Sequence, residues 1–269
     1  MAMQNDQLTV AGRFWDRYVD SWEESGRRGE QWPGDEWGTP DSCTSLVHAL
    51  FAEMQRWRSA VEIGSGSGKY TEWVLGNSPA TVAAFDVSPK FLAICERRCS
   101  HAIATKRLSL HLLRGAYPAE MLDALLEAGY RRTLDAVFAI DVMVHVPLQD
   151  LVTYAITAAL ALRPGGKFIF TAADATSERG FTKLVGDIRW TYQDQRDPVG
   201  GQPLGAARFQ WMSPQLVETV LERLGFTVQI DPGLHRDLWV VATLADSSRG
   251  DRFEAALRST RARTLVHRP

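Results

Sequence analysis

Short apolar runs alternate with helical stripes along most of the chain, from about residue 41 to 245. "AVEI" (60–63), "TVAAFDV" (81–87), "LSLHLL" (108–113), "LDAVFAID" (134–141) and "KFIFTAA" (167–173) contain few polar positions. That is the pattern of strands buried on both faces, and the helical segments between them predict crossover connections and parallel pairing. Ser88-Pro89 and Ser213-Pro214 each set a capping hydroxyl before a proline at the first helical position. Leu216, Val217, Val220, Leu221 and Leu224 make a helical stripe that stops at Gly225. Arg163-Pro164-Gly165-Gly166 ends a helix starting near Leu148 and turns the chain into the fifth strand. "FTVQI" (226–230) and "LWVVATL" (238–244) then predict a terminal hairpin. The expected fold is α/β: a doubly wound, seven-stranded, mostly parallel sheet with an antiparallel last strand and helices on both faces.

Three segments lie outside this alternation. Residues 1–40 predict an amphipathic helix followed by a Gly- and Trp-rich cap, with Trp15, Tyr18, Trp22, Trp32 and Trp37. Residues 175–212 exceed what a crossover needs and carry Trp190, Tyr192, Phe209 and Trp211, which reads as a helix plus mobile loop forming a lid or substrate wall. Residues 246–269 hold six arginines and three acids, a surface helix with a frayed basic end or a docking tail. The central domain is thus 41–245, flanked by an N-terminal cap and a basic tail.

Charge and composition narrow the function classes. Thirty basic against thirty-two acidic residues give a formal charge of −2, without the basic excess of a nucleic-acid binder. No apolar run approaches the length of a membrane span, and the first twenty residues lack the pattern of a signal peptide, so a cytoplasmic protein is expected. The three cysteines, Cys43, Cys95 and Cys99, form no CxxC pair, which points to reduced thiols and core packing. His48, His101, His111 and His267 show no ligand spacing, and no metal site is expected.

The stretch "VEIGSGSGKY" (61–70) carries the most chemistry. A phosphate-binding G-x-x-x-x-G-K-[ST] loop requires a glycine where Ile63 stands and a short hydroxyl where Tyr70 stands. A dinucleotide G-x-G-x-x-G requires a third glycine where Lys69 stands. What is present is Glu62-Ile63-Gly64-Ser65-Gly66-Ser67-Gly68, a G-x-G-x-G turn preceded by an acid, with Asp86 at the end of the next strand. Glycines let the backbone turn sharply and let a ligand approach it.

This segment resembles motif I of the class I S-adenosylmethionine-dependent methyltransferases. "VAAFDVSPKFL", "LDAVFAIDVMVHVP" and "LRPGGKFIFTAAD" resemble the following motifs in order, over about 200 residues. The resemblance implies S-adenosylmethionine as cofactor, S-adenosylhomocysteine as product, and a small-molecule methyl acceptor. It maps the ribose-binding acid onto Asp86, whose alternative role is a helix cap. Glu62 adds negative charge near the cofactor's amino group or orients the loop. Val87 and Ile140 are placed to sandwich adenine, with Asp141 and Trp37 beside the cofactor. The family's adenine-binding acid after the third strand falls on Ala116, so main-chain groups of Gly115 and Ala116 are expected to read the base instead.

Methyl transfer from a sulfonium needs positioning, and a neutral acceptor also needs a base. Histidine titrates near neutrality, which makes His145 the candidate base, with loop support as its other role. Asp174 is a candidate for holding substrate or assisting His145, and the resemblance leaves a magnesium held jointly by Asp141, Asp174 and a substrate diol as a remote alternative. His235 and Arg236, at the hairpin tip, form a second candidate pair or a solvated turn. O-methylation of a specialised metabolite or sugar-bearing product is the first expectation and N-methylation of an amine the second. A non-catalytic relative and an NAD-dependent oxidoreductase are the remote alternatives. A homodimer is left open.

Overall fold

The computed structural model describes residues 8–26, 31–37, 52–115, 119–196, 208–231 and 237–266. Eight strands form one sheet: β1 (Ser59–Ile63), β2 (Thr81–Asp86), β3 (Leu108–Leu112), β4 (Leu134–Ala139), β5 (Leu162–Asp174), β6 (Trp211–Met212), β7 (Phe226–Asp231) and β8 (Asp237–Leu244). Their order is β3-β2-β1-β4-β5-β8-β7, with the two-residue β6 pairing beside the end of β5. Strands β1 to β5 pair in parallel, and β8 runs antiparallel to both β5 and β7. The expected sheet is present, with β6 added. A two-residue strand has no periodicity by which a sequence could announce it.

The helices are α1 (Val10–Glu24), α2 (Lys69–Asn77), α3 (Pro89–Arg98), α4 (Ser100–Ala104), α5 (Glu120–Glu127), α6 (Leu148–Ala161), α7 (Glu178–Arg196), α8 (Pro214–Arg223) and α9 (Ser248–Val266). Both Ser-Pro signals cap helices: Ser88 accepts from the Phe91 N–H and Ser213 from the Leu216 N–H. The fully buried Phe85, Phe138, Phe168 and Phe170 stand on β2, β4 and β5, and the apolar faces of α5, α6 and α8 close over one side of the sheet. No helix among the described residues is long and apolar enough to cross a membrane.

The N-terminal helix is seated on the carboxyl end of β2. Its Thr9 caps the first turn, accepting from the Gly12 N–H at 2.8 Å. Gly12 faces the Val87 carbonyl so closely that a Cβ there would come within 2.4 Å of the oxygen. Buried Asp16 accepts from the Ser88 hydroxyl at 2.5 Å, so the cap of α3 is also the dock of α1. Val19 of α1, Phe91 and Ile94 of α3 then pack together, with Trp15, Tyr18 and Trp32 around them. These contacts bring one flank of the N-terminal region against the ends of the parallel strands, where a doubly wound sheet holds its ligands.

Candidate active site

A cavity of about 600 Å³ opens at the carboxyl ends of β1, β2 and β4. Its wall begins with the turn after β1. Gly64 (φ 70°), Gly66 (φ 53°) and Gly68 (φ 87°) all take left-handed conformations. At Gly64 a Cβ would meet Val142 at 2.4 Å, so only glycine lets the turn pass beneath the loop after β4. Gly64, Ser65, Gly66 and Ser67 line the cavity, whereas Gly68 lies below it, facing the sulfurs of Cys95 and Cys99. Cys95 and Cys99 are free thiols in this packing, and Cys43 lies outside the described residues.

Glu62 is also under the loop rather than on the cavity wall. It is buried and accepts a hydrogen bond from the Thr71 hydroxyl of α2. Burial raises its carboxyl well above the ordinary value, and the Thr71 bond opposes that rise. Its place is that of a strut between β1 and α2.

Asp86 faces the cavity from the end of β2. One oxygen accepts from the Gly66 N–H and the other from the Ser88 N–H, both at 2.8 Å. Each carboxylate oxygen has further acceptor capacity, enough to take the two hydroxyls of a ribose. Burial pushes the carboxyl up to about 6, against the backbone donors of Ser88, Gly66 and Val87, and the nearby Asp16 charge adds to the rise. The ionised form is the one that accepts from both hydroxyls. Affinity for a ribose-bearing ligand is therefore expected to hold above about pH 6 and to decline as pH falls through it. Folding responds with the opposite sign. The folded value lies above the ordinary 3.8, so this carboxyl's contribution to stability grows as pH drops from above 6 toward 3.8. Titration calorimetry and thermal melts across pH 5–7 check both signs; a flat affinity would contradict the role given to Asp86.

The rest of the lining divides by character. Val87, Leu113, Met121, Ile140, Val142 and Val146 supply apolar surface, and Gly115 and Asp141 stand at the rim. Asp141 itself has φ 60° and donates its N–H to the Thr171 hydroxyl at 2.8 Å. Pro33 and Gly34 of the N-terminal segment reach the cavity beside Lys69, whose ammonium donates to the Gly34 carbonyl at 3.1 Å. Arg98 fastens the same segment, bonding Asp35 at 3.0 Å and Glu72 at 2.7 Å. Trp37 ends the 3-10 turn Asp35–Trp37, and its side chain falls outside the described residues.

His145 ends a 3-10 turn, Met143–His145, that follows β4, and it lines the cavity. Its ring lies edge-on between Trp15 of α1 (5.4 Å) and Phe209 (5.2 Å), with Trp211 5.5 Å beyond Phe209. The Gln210 N–H donates to the Val144 carbonyl at 2.7 Å, which ties the segment before β6 to the turn. Trp15 from residues 1–40 and Phe209 from residues 175–212, the two aromatic-rich segments, thus meet on His145.

Asp174 is not brought to the cavity. It is 2% exposed, and its oxygens accept from the Thr176 N–H and hydroxyl and the Ser177 N–H, shaping the turn into α7. Ala116, His235 and Arg236 lie outside the described residues, as do His48 and His267. Among the described residues no group of His, Cys, Asp or Glu is arranged to hold a metal ion.

The donor set suits a sulfonium nucleoside. The Ser65 hydroxyl is buried without a hydrogen-bond partner among the described residues, beside the open backbone of the glycine turn, where the amino-acid end of such a ligand needs polar contacts. Asp86 has the acceptor capacity that a ribose needs, and the apolar lining has the character that a base needs.

Comparison with known proteins agrees. A family model described as "Methyltransferase domain" matches residues 61–170. No curated protein sequence matches the chain. Among solved structures, the chain is similar to the S-adenosylmethionine-dependent methyltransferase SibL (TM-score 0.53, 18% identity, covering 76% of this chain and 56% of that one). It is also similar to an O-methyltransferase family protein from Burkholderia thailandensis (TM-score 0.56, 15% identity, 88% and 60%). A third is magnesium protoporphyrin IX methyltransferase from Synechocystis PCC 6803 with bound S-adenosylhomocysteine (TM-score 0.58, 15% identity, 87% and 98%). The chain thus spans under two thirds of the length of the first two. At these identities the likeness is one of fold, and the family match adds that residues 61–170 are similar to a methyltransferase domain.

Proposed function

We propose that the whole protein transfers a methyl group from S-adenosylmethionine to a hydroxyl of a small, ring-bearing acceptor. The observation that carries the reading is the cavity's pairing of two unlike walls. One holds the glycine turn and Asp86; the other holds His145 and Trp15, with Phe209 against the imidazole outside the lining. A volume of about 600 Å³ is within the range of sites that enclose a drug-sized ligand.

The bound cofactor supplies a methyl group on a sulfonium sulfur, already activated for displacement. The chain's own contribution is then position and proton removal. Asp86 and the turn at Gly64–Ser67 fix the nucleoside and its amino-acid end. His145 would accept the hydroxyl proton of the acceptor, freeing its oxygen for displacement of the sulfur from the methyl group. Trp15 and Phe209 hold the imidazole's orientation, and Trp15 gives an aromatic acceptor an edge to pack against. The aromatic lining, with a magnesium protoporphyrin IX methyltransferase among the structural neighbours, supports a small ring-bearing acceptor.

The test is transfer of labelled methyl from S-adenosylmethionine to matched phenols, sugar alcohols and amines of similar size. Label on the phenol or alcohol oxygen is the expected outcome. Label on nitrogen alone would replace the O-methylation reading with N-methylation.

A further inference from the structure

The family's acid for the adenine amino group has no counterpart after β3, where the sequence carries Ala116. The cavity nevertheless has polar groups that neither the ribose nor the amino-acid end uses. Glu120 and Met121 open α5, and Asp150, Thr153 and Tyr154 come from the first two turns of α6. These two helices pack on each other beside Leu113 and Gly115, the residues that follow β3.

Glu120 spends one carboxylate oxygen on the Arg114 N–H at 2.9 Å. Asp150 and Tyr154 are different. They stand four residues apart, on one face of α6, and both line the cavity. Neither the Asp150 carboxylate nor the Tyr154 hydroxyl has a hydrogen-bond or ion-pair partner among the described residues, although the Tyr154 ring packs against the core. Burial pushes the Tyr154 phenol up to about 12, with the charges of Asp150, Asp86 and Glu120 adding to the rise. The phenol therefore stays protonated and donates, within the field of both the ribose acid and Asp150.

We infer that Asp150 and Tyr154 read the amino edge of adenine, resting on the reading of this cavity as the S-adenosylmethionine site. Adenine presents an N–H donor on its exocyclic nitrogen, flanked by ring nitrogens that accept. A carboxylate takes the donor and a phenol serves an adjacent acceptor, so the pair is complementary to that edge. Hypoxanthine presents an oxygen in place of the amine, and a carboxylate facing that oxygen repels it. Asp150 becomes a specificity-determining residue contributed by α6, at a position unrelated to the missing one after β3.

Calorimetry with S-adenosylhomocysteine and its inosine analogue, S-inosylhomocysteine, tests this without any acceptor. Asp150 is an exposed residue at the mouth of the cavity, so the wild-type protein is expected to prefer the adenine form by about three- to tenfold, the cost of one frustrated, partly solvated polar contact. Asp150→Asn places an amide donor opposite the base and is expected to bring the ratio to near one or to reverse it. Tyr154→Phe is expected to weaken S-adenosylhomocysteine severalfold. Thermal melts of each variant separate a lost contact from a lost fold. A wild-type ratio near one, or a ratio unchanged in a stably folded Asp150→Asn, overturns the inference while leaving the methyltransferase reading in place. No binding of either ligand by the folded wild type would overturn that reading instead.

Discussion

Asp86→Ala is expected to weaken S-adenosylhomocysteine binding by about two to four orders of magnitude. The carboxylate would accept two ribose hydroxyls, and charge-assisted hydrogen bonds contribute about 1.5–3 kcal/mol each. The substitution also strands the Gly66 and Ser88 N–H groups that Asp86 now satisfies, which loosens the turn that must meet the ligand. Removing a buried carboxyl that burial has pushed up to about 6 relieves some cost in the unliganded protein. The fold is therefore expected to survive while binding fails. Asp86→Asn keeps an acceptor and a similar shape, and its loss should be smaller. Calorimetry of both variants, with circular dichroism to verify folding, checks the pair. Binding within threefold of wild type in a folded Asp86→Ala would remove Asp86 from the ribose site.

His145→Ala is expected to lower turnover by about two to four orders of magnitude, the usual range for loss of a positioned general base. Cofactor affinity should stay within about threefold, because the contacts proposed for the ribose and amino-acid end lie on Asp86 and the glycine turn. The signature is a fall in kcat together with loss of the acidic limb of the pH–rate profile. The competing role is support of the turn, since the ring lies between Trp15 and Phe209. A supporting histidine would give a different result: a lower Tm and weaker acceptor binding, with the pH profile unaltered. His145→Gln, which keeps bulk without a titrating nitrogen, distinguishes the two.

Much of this site could be read along the chain because its parts are local. The glycine turn, Asp86 and the Ser88 cap lie within one β-α-β unit, and the buried parallel strands have apolar runs that carry their own signal. Side-chain direction was less legible. Glu62 and Gly68 belong to the same motif as Gly64 and Gly66, yet they point to α2 and α3 rather than to the cavity. Asp174 ends its strand at the expected place and spends its oxygens on the following turn. The start of β5 was also hidden: the chain reads as a helix end at Arg163–Gly166, whereas the strand already begins at Leu162.

Contacts across long sequence separations left no trace in local pattern. The Asp16–Ser88 bond joins residues 72 apart, and it is what seats α1 at the site. Trp15 gained its meaning only from that docking, since Trp22 on the same helix is simply buried. Asp150 reads in sequence as an ordinary first-turn acid of α6. Only the fold brings it to the same cavity as Asp86.

The most direct measurement is titration calorimetry of the folded wild-type protein with S-adenosylhomocysteine, NAD and ATP. Micromolar binding of S-adenosylhomocysteine, with no measurable heat from NAD or ATP, is the expected result. A folded protein that binds NAD or ATP and not S-adenosylhomocysteine would contradict the assignment of this cavity to a sulfonium nucleoside.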